Sequence, residues 1–469
     1  MRAVTVATPV TADVLGAEHQ FPEDAMGGWW RRAAVLALAV VLAGTGCSAG
    51  AGAGSGRTIT VLMVDNPQMR DLEQLTAEHF TAATGITVEF TVLPENELRD
   101  TVAAEFTAQS GEHDVATLSN FEVPIFARNG WITALDEFIA ADPEFDQGDI
   151  LRPMAESLST DGQIYGEPFY GESTFLMYRR DVFEQAGITM PGSPTWQDVA
   201  GFAERLDGAQ PGMAGICMRG QPGWGQVVAP LTTVVNTFGG TWFSQDWQAQ
   251  VDSPEFRDAT RFYVDLAREH AQDGVAAAGF TECLDTMTSG GAAMWYDATS
   301  AAGSLESPES PVRGLMGYAP APVVRTESSG WLYSWAWGIQ GASTEQDAAW
   351  RFVSWAASAE YEQLVGRELG WSRIPAGKRR STYAIPEYVE DSAAFGAQTL
   401  TAIQSADPSD PGVQPRPAPG IQFVGVPEFP ALGTEVSRDV SAAIAGETTV
   451  DAVLARAQQL ADAVAAAYR

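Results

Sequence analysis

The stretch Thr58-Ile-Thr-Val-Leu-Met-Val64 is an apolar run of strand length, and the segments after it decide the fold. Leu72, Leu75 and Phe80 recur at helical spacing through residues 71–83, with Gly85 as a stop. Ile86-Thr-Val-Glu-Phe-Thr-Val92 alternates with period two, the pattern of a half-buried strand. Residues 97–110 read as a second helix closed by Gly111, and Asp114-Val-Ala-Thr-Leu-Ser119 as a third strand. This β-α-β-α-β order predicts parallel strands joined by right-handed crossovers, with ligands received at the carboxyl ends of the strands. Residues 65–70 and 119–122 therefore stand at a rim, and Asn66, Asn120 and Glu122 become candidate binding residues.

Working outward, Thr195 is placed to cap a helix whose Trp196, Val199, Phe202 and Leu206 form an apolar stripe. Residues 346–365 read as one further helix, and residues 449–468 as an amphipathic tail. The 469 residues suit two or three domains' worth of core, or two lobes of one larger fold. A hydrophobic content of 45% and an aromatic content of 10% exclude wholesale disorder. Sixty Asp and Glu against 27 Lys and Arg leave a formal charge of −33. That balance argues against a nucleic-acid partner, which needs clustered cations to displace counterions from phosphates. Lys378 is the sole lysine.

Near the start, Met26-Gly-Gly-Trp-Trp-Arg-Arg32 precedes the apolar run 33–43 and then Gly44-Thr-Gly-Cys47. A short positive region, an apolar stretch too short for a membrane span and small residues after it read as a signal peptide over residues 1–46. Residues 1–25 only delay its positive region, which points to Met26 as the true start. Arg31-Arg32 suits twin-arginine export, although the rest of that motif is absent. The small residues ending in Cys47 resemble the lipobox of bacterial lipoproteins. That resemblance implies a lipid on Cys47, residues 47–57 as anchor and flexible tether, and a body held at the outer face of the cytoplasmic membrane. Gly44 stands where the lipobox usually has Leu, so a secreted protein cut nearby is the alternative. With Cys47 lipidated, Cys217 and Cys283 remain as an even pair in an oxidising compartment, either a disulfide or two buried thiols.

The run Gly162-Gln-Ile-Tyr-Gly-Glu-Pro-Phe-Tyr-Gly-Glu-Ser-Thr-Phe-Leu-Met-Tyr-Arg-Arg-Asp181 carries a wider likeness. With Thr195-Trp196, residues 292–298 and residues 331–339, it resembles the extracellular solute-binding proteins (family 1) of carbohydrate ABC importers. Residues 217–225, Asn236-Thr-Phe-Gly-Gly240 and Val426-Pro-Glu-Phe429 are most similar to the sugar-alcohol (mannitol or sorbitol) binders among them. The resemblance implies an α/β protein of the two-lobed periplasmic-binding-protein type II fold, with hinge-linked lobes and mostly parallel sheets. It implies one lobe from 58–168 with 319–365 and another from 169–318 with 366–469. It also implies a monomer that passes a sugar alcohol or small sugar to permease subunits, without enzymatic chemistry and with neither cofactor nor metal.

A polyol needs a hydrogen-bond partner for each buried hydroxyl and flat apolar faces for its C–H edges. Glu172 and Tyr170, beside the first expected crossover, supply an acceptor and a polar aromatic. Arg219 and Trp224 lie in a Gly/Pro-rich loop; Asp297 ends the strand-like run Met294-Trp-Tyr. Trp335 and Trp337 alternate with Ser334 and Ala336, so they share one face, either of the core or of a cleft. Arg373 and Glu428 complete the candidates by resemblance. A bland role stands beside each: a hinge ion pair for Glu172, a loop contact for Arg219 and Trp224, a cap for Asp297. Two other classes compete: a secreted glycoside hydrolase, which needs two carboxylates across its cleft, and a surface adhesion or scaffold protein. His79, His113 and His270 have no metal-binding spacing, and neither a G-x-S-x-G elbow nor a phosphate-binding loop occurs.

Overall fold

In the computed structural model of the chain, the described residues are 56–469. The expected signal peptide, Cys47 and nearly all of the tether lie outside them. Among the described residues no helix is long and apolar enough to cross a membrane.

Among the described residues ten strands run in chain order: β1 (Thr58–Val64), β2 (Thr87–Leu93), β3 (Val115–Ser119), β4 (Ser159–Thr160), β5 (Gln163–Ile164), β6 (Glu167–Glu172), β7 (Thr174–Arg179), β8 (Met294–Ala298), β9 (Met316–Pro320) and β10 (Tyr333–Ile339). They make a five-stranded sheet in the order β2-β1-β3-β10-β6, a three-stranded sheet β8-β7-β9, and the small pair β4-β5. Each of the two larger sheets is the centre of one α/β lobe. The parallel order read from the sequence holds for β2, β1 and β3. Beyond them β10 runs antiparallel to both β3 and β6, and β7 is antiparallel to β8 and β9. The five-stranded sheet is therefore mixed and the three-stranded one antiparallel throughout, where mostly parallel sheets are expected. Strand β10 returns from the other lobe without a helical crossover, so nothing constrains it to run parallel to β3.

The chain leaves the larger sheet at Ser173, between β6 and β7, and returns after β9 by the segment 321–332. Both crossings fall a few residues after the expected 168/169 and 318/319 boundaries, because β6 completes its pairing with β10 before turning and β9 completes its pairing with β7.

Local sequence explains the elements that matter for the cleft. Asn66 caps the helix Pro67–Leu75, its side chain accepting from the Met69 N–H at 3.0 Å. Thr195 and Asp198 form a reciprocal capping box on Trp196–Leu206. Gly85 stops the first helical segment with φ of 72°, which a side chain would disfavour. The single helix expected over 346–365 is two, Gln346–Ala357 and Ala359–Leu369. Between them Ser358 takes extended dihedrals, and its hydroxyl caps the second helix through the Tyr361 N–H. A serine competes with the backbone for its own hydrogen bonds, and here that competition breaks an apolar periodicity that runs straight through.

Cys217 and Cys283 are joined as a disulfide across 66 residues. It ties the segment bridged to β8 at Trp295 to the helix Phe280–Thr288. Both sulfurs are buried among Phe175, Met287 and Trp295. A loop of that size is worth roughly 4 kcal/mol in the chain-entropy description. Replacing both cysteines by Ala should therefore lower unfolding free energy by about 2–5 kcal/mol in urea titrations, and unchanged midpoints would show that the crosslink contributes nothing.

Candidate functional site

Between the two lobes lies a cavity of about 470 Å³, within the usual ~300–1,000 Å³ range of small-molecule sites. The larger-sheet lobe contributes Asn66, Glu95, Arg99, Tyr170, Tyr333 and Trp335; the other contributes Arg219, Gln226, Phe280 and Ser300, with Glu172 and Trp331 at the crossings. Asn66 follows β1, and Glu95 opens the helix Glu95–Ala108 just after β2, so the carboxyl-edge rule places them here.

Two guanidiniums dominate the electrostatics, and each is neutralised by protein carboxylates. Asp297, wholly buried, accepts from Arg219 Nε at 2.8 Å and Nη2 at 2.5 Å. Trp295 Nε1–H and the Ala298 N–H complete its shell at 3.1 and 2.7 Å. Arg99 donates to Glu95 at 2.9 Å and to the Tyr333 hydroxyl at 2.6 Å, and pairs with Glu122 at 3.3 Å. Its guanidinium lies over the Trp224 ring at 4.0 Å and the Trp335 ring at 4.8 Å. Burial alone would lower the Arg99 pKa, but Tyr333, Glu95 and Glu122 outweigh it and the cation is held firmly charged.

Glu172 behaves differently. Burial pushes its carboxyl up to about 8, against the opposing pull of the Ser300 hydroxyl bond and of Arg219, with Asp297 and Glu95 adding repulsion. Ser300 Oγ donates to Oε2 at 2.6 Å. Tyr170, beside it, accepts from Asn66 Nδ2 at 3.0 Å, and burial raises its hydroxyl well above the usual value. The wall thus combines tied-down cations, a carboxyl with a single hydroxyl partner, and indole and phenol faces. Among the described residues no group of three His, Cys, Asp or Glu is arranged to hold a metal ion.

Of the residues read from the sequence, Asn66, Tyr170, Glu172, Arg219 and Trp335 line the cavity. Asp297, Glu122 and Trp224 stand behind the wall. Asp297 orients Arg219; Glu122 accepts from the Ser119 N–H and hydroxyl, both at 2.8 Å, and steadies Arg99; Trp224 stacks on Arg99. The other four lie elsewhere. Trp337 is wholly buried against Phe169 and Phe352: it shares a face with Trp335 but pairs with Thr117, two residues deeper than the Ser119 end of β3. Asn120 turns away to bond Leu332 O and the Ser334 N–H. Arg373 pairs with Asp71 in a pinched space of about 30 Å³. Glu428 is engaged at the surface, accepting from the Tyr468 hydroxyl at 2.6 Å.

Sequence reading passed over Glu95, Arg99, Gln226, Phe280, Trp331 and Tyr333. The rule that marks residues 65–70 marks residues 94–99 as well, because they come after the carboxyl end of β2. Nothing local distinguishes Phe280 or Tyr333 from core aromatics.

Comparison with known proteins agrees with this architecture. Residues 66–363 match the family of bacterial extracellular solute-binding proteins. The chain is 36% identical to a mannitol-binding protein of Pseudomonas aeruginosa over 91% of its own length and 95% of the relative's. It is 26% identical to an erythritol/L-threitol-binding protein of Mycolicibacterium smegmatis over 65% of its length and 67% of that protein. The crystal structure of an ABC transporter solute-binding protein from Agrobacterium vitis with bound D-mannitol superposes with a TM-score of 0.84 at 40% identity, covering 86% of this chain and 97% of that one. A two-lobed α/β frame, an interlobe cavity and a likeness that spans nearly all of the described chain lead to one statement: the protein belongs to the bacterial extracellular solute-binding proteins.

Proposed function

We propose that the chain captures a sugar alcohol, a hexitol of the mannitol type, in the interlobe cavity and releases it unchanged to a membrane permease of an ABC importer. The observation that carries this reading is the internal neutralisation of the cleft. Arg219 is satisfied by Asp297, Arg99 by Glu95 and Glu122, and Arg70 at the mouth by Asp65 and Glu73. Among the described residues lining the cavity no cation is left over for a phosphate or carboxylate ligand. Glu172, Asn66, Tyr170 and Gln226 instead offer hydrogen bonds, and Trp331, Trp335 and Phe280 offer apolar faces. The relatives at 36% and 40% identity, described as mannitol-binding and as holding D-mannitol, support the same class. A lipid on Cys47, a monomeric body and hinge motion at Ser173 and within 321–332 complete the proposal.

The energetics are modest. A micromolar affinity corresponds to about −8 kcal/mol, or roughly −0.7 kcal/mol for each of a hexitol's dozen heavy atoms, below the ceiling for small ligands. Closure around the ligand removes its hydroxyls from water, and every one left without a partner costs ~1–3 kcal/mol. The hydrolase reading loses two of its three carboxylates, since Asp297 is locked to Arg219 and Glu428 lies at the surface, which leaves Glu172 without either as a partner across the cavity. The family comprises binding proteins rather than enzymes.

Mannitol at a hundredfold its dissociation constant should stabilise the protein by about 2.7 kcal/mol in a thermal-shift assay; a flat response to mannitol, sorbitol and arabitol alike would remove the polyol reading. Glu172→Ala should weaken hexitol binding more than tenfold in calorimetry with little loss of melting temperature. Asp297→Ala, by contrast, strands a buried guanidinium and should cost ~3–5 kcal/mol of stability; equal melting temperatures for the two variants would contradict these roles. The raised Glu172 carboxyl also has a pH signature. Its contribution to stability is fully present below the unfolded value of 4.5 and is lost as pH rises through the folded value of about 8. The ligand-free protein should therefore fall behind its Glu172→Gln variant in melting temperature between pH 5 and 8, and parallel curves would count against that burial.

A further inference from the structure

A second cavity, of about 650 Å³, lies next to the first. The two share Gln422 and Phe423 in their linings. We propose that Phe423 is a stop that fixes the length of ligand the cleft accepts, closing off space that would otherwise extend the binding site. This inference rests on the sugar-alcohol reading and adds a specificity-determining residue to it.

The stop is a knob on a self-closed loop. The Gly425 N–H donates to Pro419 O at 2.8 Å, closing residues 419–425 into a tight turn. Gly420 sits at φ of 133°, and a Cβ there would meet Phe423 O at 2.0 Å, so the turn can form only with glycine at that position. The loop is moored to one lobe, where Asn236 Nδ2 donates to Ile421 O at 2.9 Å. From that base the Phe423 ring reaches across, 4.8 Å from Trp224 and 5.5 Å from Phe121 by ring centroids. Trp224 and Phe121 belong to opposite lobes and lie 5.1 Å from each other, so the Phe423 ring completes an aromatic cluster at the seam. On its far side the second cavity presents Asn120, Arg128 and Gln404 with Ile125 and Pro124, a mixture of polar groups and apolar faces that suits a pyranose ring.

The turn is closed by a backbone bond and moored through Ile421 O, so shortening the Phe423 side chain leaves both in place. A ligand with one pyranose attached to a hexitol then has room to pass from the first cavity into the second. The wild-type cleft, ending at the ring, admits the hexitol part alone.

The test is isothermal titration of the full exported protein and its Phe423→Ala variant with sorbitol, mannitol and maltitol, a glucosyl-hexitol. The wild type should bind its preferred hexitol at least a hundredfold more tightly than maltitol, and the variant should narrow that ratio at least tenfold. An unchanged ratio in a folded variant overturns the stop. Should Phe423→Ala fail to fold by circular dichroism, Phe423→Leu and Gln422→Ala carry the same comparison, and an unchanged ratio in both overturns it equally. A wild type that binds hexitol and maltitol alike refutes the stop and leaves the polyol reading intact. A wild type that binds neither refutes the polyol reading, and the stop with it.

Discussion

The Arg99 guanidinium, held between the Trp224 and Trp335 indoles, joins the two lobes into one closed cleft. Burying a guanidinium is costly unless every donor is met and opposite charge lies close by. Here Glu95 and Tyr333 accept hydrogen bonds and Glu95 and Glu122 supply the opposite charge from the lobe that carries Arg99, while Trp224 reaches it from the other. The loop bearing Trp224 approaches that lobe through glycines, which leave room for the Glu95 and Asn96 side chains. A Cβ on Gly225 would meet Glu95 Oε1 at 2.3 Å, and one on Gly223 would meet Asn96 Oδ1 at 2.4 Å. Two bonds then span the seam, Gln226 Nε2 to Glu95 at 3.0 Å and Asn96 Nδ2 to Pro222 O at 2.9 Å.

The opposite wall is built on the same logic. Asp297 ends β8, is removed from water entirely, and takes the fork of Arg219 in a bidentate grip. The Tyr263 hydroxyl holds the Arg219 carbonyl at 2.6 Å, and the disulfide pins the neighbouring Cys217 to the helix that carries Phe280. The cation that faces the cavity on this side is thereby held by a carboxylate that does not. Rigid walls of this kind spare the ligand the cost of ordering them, so that the interaction energy goes into binding.

Much of the frame is legible in the chain. Apolar runs and period-two alternation mark β1, β2 and β3, and Gly85 marks the end of the first helical stretch, whereas the second ends at Ala108 with Gln109 in the left-handed conformation, two residues before Gly111. The carboxyl-edge rule brings Asn66 to the cavity wall but not Asn120, because it names an end of the sheet and not the direction in which a side chain turns there. Alternation puts Trp335 and Trp337 on one face, yet only the register against β3 shows that Trp335 stands at the edge and Trp337 in the core. The break at Ser358 shows the converse: one hydroxyl cap overrides a periodicity that reads as unbroken.

The sequence by itself determined an acidic α/β chain, rich in indoles and carboxylates without the spacing of a metal or nucleophile site, while its two lobes followed from the family resemblance. These are properties of composition and of short-range pattern, set by backbone periods of 2 and 3.6 residues. Only the tertiary structure decided which carboxylates face the cavity and which hold arginines, since those choices join residues far apart in the chain. Arg99 and Tyr333 are separated by 234 positions, and Arg219 and Asp297 by 78. No local period carries information over such distances; closure of the chain on itself supplies it.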